Sequence, residues 1–104
     1  MKRLAIQVTR FLRDDQPGWI ECEFEDAEHV RHILIDKVPI FSHELLDEAS
    51  VYPREGVVRC QVLGQFRDAL GRDLLRIALL DGVTSTEDVS EFVVLANQIS
   101  DDAE

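Results

Sequence analysis

A chain of 104 residues with 45% apolar content is long enough for one self-supporting core and too apolar for its body to stay disordered. Its formal charge of −10 sits in two blocks: residues 19–50 hold nine acidic groups against two basic, and residues 81–104 hold seven against none. Such a surface repels phosphate, which argues against general nucleic-acid or anionic-membrane binding, and no stretch approaches the roughly 18 apolar residues of a membrane span.

Met1 to Ile6 resembles an export signal for six residues, and then Gln7, Thr9 and Arg10 interrupt the apolar run. A cytoplasmic setting is therefore expected, with Cys22 and Cys60 as reduced thiols. Leu4, Ile6 and Val8 alternate with Ala5, Gln7 and Thr9, which predicts a strand over about residues 3–12. Asp14 to Gly18 reads as a turn, because Pro17 fixes one dihedral and Gly18 permits positive φ. Ile20, Cys22 and Phe24 then alternate with Glu21, Glu23 and Glu25, so one face of this strand is apolar and the other is a row of carboxylates in water. A third run covers residues 29–36.

The connector is less regular. Lys37 to Phe41 should be extended, since the residue before Pro39 avoids the helical region. Ser42 is placed to cap a short helix from His43 to Ala49, with Leu45 and Leu46 turned inward, and Pro53 and Gly56 bracket its exit. Val58, Cys60 and Val62 restart the alternation. A hairpin over Phe66 to Arg72, with Gly71 at the left-handed position, leads into the run Leu74 to Leu80. Phe24-Glu25-Asp26-Ala27 is echoed by Phe66-Arg67-Asp68-Ala69, and two hairpins with similar loops explain the echo.

The last segment admits two readings. Phe92 to Leu95 favours a strand by β-propensity. Val89, Phe92, Val93, Ala96 and Ile99 also fit a helical stripe, behind a capping box of Ser85 and Asp88. The strand is preferred because it can pair with the preceding sheet. Ser100 to Glu104 is expected to be a frayed acidic tail, leaving residues 1–99 as a single domain. The fold class that follows is all-β and mainly antiparallel: a small five- to six-stranded barrel or bent sheet with one short helix in a connector.

Four phrases carry a resemblance: Gln16 to Cys22, Asp36 to Pro39, Tyr52-Pro53 and Gly56 to Cys60. They are similar to those of small uncharacterised bacterial proteins of unknown function, and the likeness extends over most of the chain. It implies a bacterial source and a standalone domain, and it transfers no catalytic residue.

The residues themselves offer few sites. Cys22 and Cys60 fall on inward faces and read as small hydrophobes. On a strand the spacing of His29 and His32 puts them on opposite faces, and no zinc-binding spacing joins them to His43. The dipeptide His43-Glu44 would serve as an acid–base pair only with a substrate beside it. No phosphate loop, nucleophile elbow or dinucleotide fingerprint occurs. The reading is therefore non-enzymatic, with no catalytic residue, metal or cofactor assigned. Glu21, Glu23 and Glu25, with Trp19 on the same face, are the candidate partner-binding residues, as a docking face for a basic protein. The bland reading of the same row is a solvated strand face. Two alternatives stand beside it: a small-molecule or metal binder using Cys60 and a histidine, and a structural homo-oligomer joined by an edge strand or by an apolar face around Leu74, Leu80, Val93 and Leu95.

Overall fold

Alternation along the chain is translated directly into a sheet. In a computed structural model, which describes residues 1–101, the strands are β1 (Lys2–Arg13), β2 (Trp19–Glu25), β3 (Arg31–Lys37), β4 (Arg54–Arg67), β5 (Asp73–Leu79), β6 (Glu91–Leu95) and β7 (Ile99–Asp101). All pairings are antiparallel, in the order β3-β2-β1-β4-β5-β6, and β7 adds to β1. The sheet is a curled half-barrel. Leu4, Ile6 and Val8 of β1, Ile20, Cys22 and Phe24 of β2, and Ile77 and Leu79 of β5 fill its interior, each at most 7% exposed. Burial of each large side chain among them contributes about 1.5–3 kcal/mol.

Two long strands make the curl. The first half of β1 pairs with β4, and its second half pairs with β2. Register shifts after Val8 and after Phe11 bend it between these two tasks. In β4 the half from Arg54 to Cys60 meets β1, and a shift between Val62 and Gly64 bends the remainder alongside β5. Loops then draw the two ends of the sheet together. Ser85, in the loop before β6, bridges Leu34 of β3, and the Thr86 N–H donates to the Ile33 carbonyl at 2.9 Å. From the other end, the Ala27 N–H donates to the Val93 carbonyl of β6 at 2.9 Å.

Three loops share one backbone design. In Asp26–Val30, Asp68–Arg72 and Ser85–Val89, the first residue's side-chain oxygen accepts N–H bonds from the residues two and four positions on. In each, the first N–H donates to the fifth carbonyl and the fourth N–H donates to the first carbonyl. The fourth residue has positive φ: 63° at His29, 79° at Gly71 and 64° at Asp88. The echoed Asp-Ala pairs are thus the openings of two such loops. Ser85 and Asp88 form a third, not the start of a helix, because the Ser85 hydroxyl accepts the Glu87 and Val89 N–H bonds of a tight turn and Ser85 itself bridges Leu34 of β3.

The connector differs from expectation. The short helix is α1 (Val38–Phe41), and residues 43–49 contain no helix. Pro39 lies in the first turn, where its missing N–H costs nothing, and the Val38 N–H is taken by the Gly18 carbonyl at 2.9 Å. Burial of Val38 and Phe41 outweighs the extended preference before a proline. Leu46 turns inward, while Leu45 is 96% exposed. The final segment is strand, 3-10 turn (Ala96–Gln98) and strand. Ser100 and Asp101, expected in a frayed tail, instead pair with Arg3 and Lys2, and Lys2 Nζ meets the Asp101 carboxylate at 2.8 Å. The rest of that expected tail, 102–104, lies outside the described residues. Among the described residues no helix is long and apolar enough to cross a membrane.

Candidate functional site

The alternation of β2 places Trp19, Glu21, Glu23 and Glu25 on one outward face, as read from the sequence. Their surroundings differ along the row. The Trp19 ring is partly buried, with the Arg13 guanidinium 4.6 Å and the Lys37 ammonium 5.9 Å from its centre. Glu21 accepts from the Thr9 hydroxyl at 2.8 Å and from Arg10 at 3.1 Å. Burial pushes its carboxyl up, but those hydrogen bonds and the charges of Arg10 and Arg31 outweigh burial and hold it below the usual range. Glu23 pairs with Arg31 at 3.2 Å. The Glu25 side chain is 63% exposed, and among the described residues its carboxylate pairs only with the His29 Nδ1, at 3.5 Å. The row therefore runs from a cation-clamped aromatic end to an open acidic end.

Strand order brings in residues that the β2 pattern alone does not reveal. Gln7 of β1 stands directly opposite Glu23 on one side and Glu55 of β4 on the other. Opposed side chains in such a ladder are neighbours, about 5 Å apart at Cβ. Glu55 is exposed and makes no ion pair among the described residues. Two residues back along β1, Ala5 supplies only a methyl group, which leaves a shallow floor. Ala5, Gln7, Glu23, Glu25, Glu55 and Gln98 line a depression of about 400 Å³. Gln98 is fixed there: its amide donates to the Glu25 carbonyl at 2.8 Å, and its oxygen accepts from the Leu95 N–H at 2.8 Å. The depression lies where the β1 ladder passes from β7 at Leu4 to β2 at Gln7. Glu55 falls among Pro53 and Gly56 in the sequence, which reads there as a connector exit, so only the β1–β4 register reveals its place.

The other candidate chemistry is dispersed. Cys22 and Cys60 are free and buried, and burial pushes both thiols up. Cys22 stands opposite Val8, and Cys60 stands opposite Lys2. Six residues of β1 separate those positions, about 20 Å, so the two sulfurs cannot bond. His29 is exposed in its loop, and His32 is enclosed on β3 by Phe24 and Phe92, with ring centres 5.3 and 4.6 Å away. The His32 Nε2 donates to Asp26 Oδ2 at 2.8 Å. His43 accepts from Arg3 Nη1 at 2.9 Å, while Glu44 pairs with Arg54 at 2.8 Å, so the dipeptide's two groups are engaged separately. Among the described residues no group of three or more His, Cys, Asp or Glu side chains is placed to hold a metal ion. The five arginines from Arg54 to Arg76 each contact a carboxylate within 3.5 Å and form no bare basic stripe. No family model, curated protein or solved structure matches the chain.

Proposed function

We propose that this chain is a non-enzymatic protein-interaction domain that docks a basic partner on the outer face of β2, β1 and β4. The observation that carries the reading is the row Glu23–Gln7–Glu55, with Glu25 beside it, around one depression floored by Ala5. Glu25 and Glu55 are the acids on that face least compensated by the chain's own cations. Trp19 and Glu21 extend the face at its more neutral end. Exposed ion pairs contribute about 0.2–1 kcal/mol each, so one lysine would not hold. The partner must present several basic groups, and the field would raise the rate of encounter more than it deepens the complex. We place the domain in the cytoplasm, where buried free thiols such as Cys22 and Cys60 stay reduced.

The test is an amide-resolved titration with a lysine- and arginine-rich peptide at low and high salt. Glu25→Lys with Glu55→Lys should weaken binding about tenfold, while Glu48→Lys with Glu87→Lys, an equal charge change at exposed positions elsewhere, should change it less than about twofold. Peptide shifts should centre on Gln7 and Glu55. Equal losses in both variants would reduce the effect to net charge, and no loss in either would overturn the reading.

A further inference from the structure

The depression on the outer face has a width and a floor that suit one kind of cation. Its floor is β1, and the strands that carry its acids lie on either side, with Gln7 opposite both Glu23 and Glu55. Two strand spacings of about 4.8 Å separate those walls, so the two acids start about 10 Å apart at Cβ. An ammonium is one nitrogen with bonds of about 2.9 Å, and it joins oxygens at most about 6 Å apart. A guanidinium is a plane with donors on opposite edges, and it joins oxygens about 8 Å apart. Closing on an ammonium therefore drives the two carboxylates about 2 Å nearer to each other, against their own repulsion. The acids do not converge on a point: among the described residues no three of them are placed to hold a metal ion.

The floor fits the same shape. Ala5 is exposed and offers only a methyl group, and Val57 stands opposite it on β4, partly buried. A planar group can lie flat on that methyl while its three-carbon stem runs against Val57. Acceptors remain at the rim. The Gln7 amide makes no side-chain hydrogen bond among the described residues, and neither Glu25 nor Glu55 is paired with a lysine or arginine there.

We propose that the depression seats one arginine of the basic partner, its guanidinium flat over Ala5 between the acids of β2 and Glu55, and that it discriminates against lysine. The seat presupposes the docking reading above and makes Ala5 the residue that selects between the two cations.

Two peptides of equal length and charge test it, one with arginine and one with lysine at every basic position, each titrated against the parent and against Ala5→Leu. Leucine at this exposed position fills the floor without entering the core and without changing any charge. The parent should bind the arginine peptide about fivefold more tightly, with amide shifts at Ala5 and Val57 that the lysine peptide does not produce. Ala5→Leu should abolish that preference, leave the lysine peptide within about twofold of its parental affinity and keep the amide spectrum of the fold. Equal affinity of the parent for the two peptides, or a preference that survives in Ala5→Leu, would overturn the arginine seat and leave the docking face standing. Failure of both peptides to bind the parent would overturn the two together.

Discussion

Two loops of this molecule share a backbone and differ in what their side chains are asked to do. Asp26–Val30 joins β2 to β3, and Asp68–Arg72 joins β4 to β5. Each opens with an aspartate that accepts two loop N–H bonds through Oδ1 and one cationic or imidazole donor through Oδ2. The first loop is half-enclosed: Ala27 is 1% exposed, and its N–H and carbonyl are bonded to Val93 and Arg72. The second projects into water, with Leu70 at 80% exposure. Arg72 belongs to the second loop but reaches Ala27 of the first at 2.8 Å. One hydrogen-bonding plan thus serves as a latch in one place and as an ordinary turn in the other, and burial makes the difference.

The aspartates should break that symmetry most strongly. Asp26→Ala leaves the Glu28 and Val30 N–H groups and the enclosed His32 without their acceptor, in a loop that ties β2 and β3 to β6. A loss of about 2–3 kcal/mol is expected in denaturant unfolding. Asp68→Ala removes the matching loop bonds from a carboxylate that is just as enclosed, 20% against 19% exposed, but it leaves Arg72 still bonded to the Ala27 carbonyl and to Glu28 and strands no enclosed imidazole, so its loss should be smaller. Equal losses would mean that the latch adds nothing to the turn.

Acid should discriminate in a related way. Burial pushes the Asp26 carboxyl up, but hydrogen bonds from His32, Val30 and Glu28, with the His32 charge, hold it below its ordinary value. A carboxyl lowered in the folded state stabilises fully above its unfolded pKa of about 4, and that contribution is lost as pH falls through the lower folded value. Stability should therefore fall below about pH 4. Asp26→Asn keeps an oxygen for the loop N–H groups but cannot ionise, so its acid limb should be shallower than that of the parent. An unchanged limb would assign the acid sensitivity to other carboxylates, such as Glu21.

Much of this was legible in the sequence wherever one face of a strand is dry. The period-two runs of β1 and β2 gave their inward residues, and the Asp-Ala echo marked two matching loops. The connector was not legible, because α1 forms against a local rule to bury Val38 and Phe41. The third loop was masked by Ser85 and Asp88, whose spacing suits a helix start as well as a turn. The acidic row on β2 could be read from alternation, but its neutralisation by Arg10 and Arg31 and its enlargement by Glu55 depend on which strands lie side by side. No local pattern encodes that order: β1 meets β2 across a five-residue turn, but it meets β4 only after two intervening strands and a connector.

The smallest expected effects sharpen the comparison at a single backbone position. Gly71 and His29 occupy the same place in the two loops, with φ of 79° and 63°. A side chain at such a φ costs about 1–2 kcal/mol, and glycine avoids that cost while giving up about 0.5–1 kcal/mol of unfolded-state entropy. Gly71→Ala should therefore destabilise by about 1 kcal/mol even though nothing lies within 4 Å of the added Cβ. His29→Gly should stabilise by about 0.5 kcal/mol, since the side chain it removes is 78% exposed and its polar contact among the described residues is a long one, to Glu25 at 3.5 Å. Opposite signs in thermal or denaturant unfolding would show that the two loops obey one backbone rule. A destabilised His29→Gly would mean instead that the contact with Glu25 outweighs the backbone cost, and would make His29 part of the acidic face.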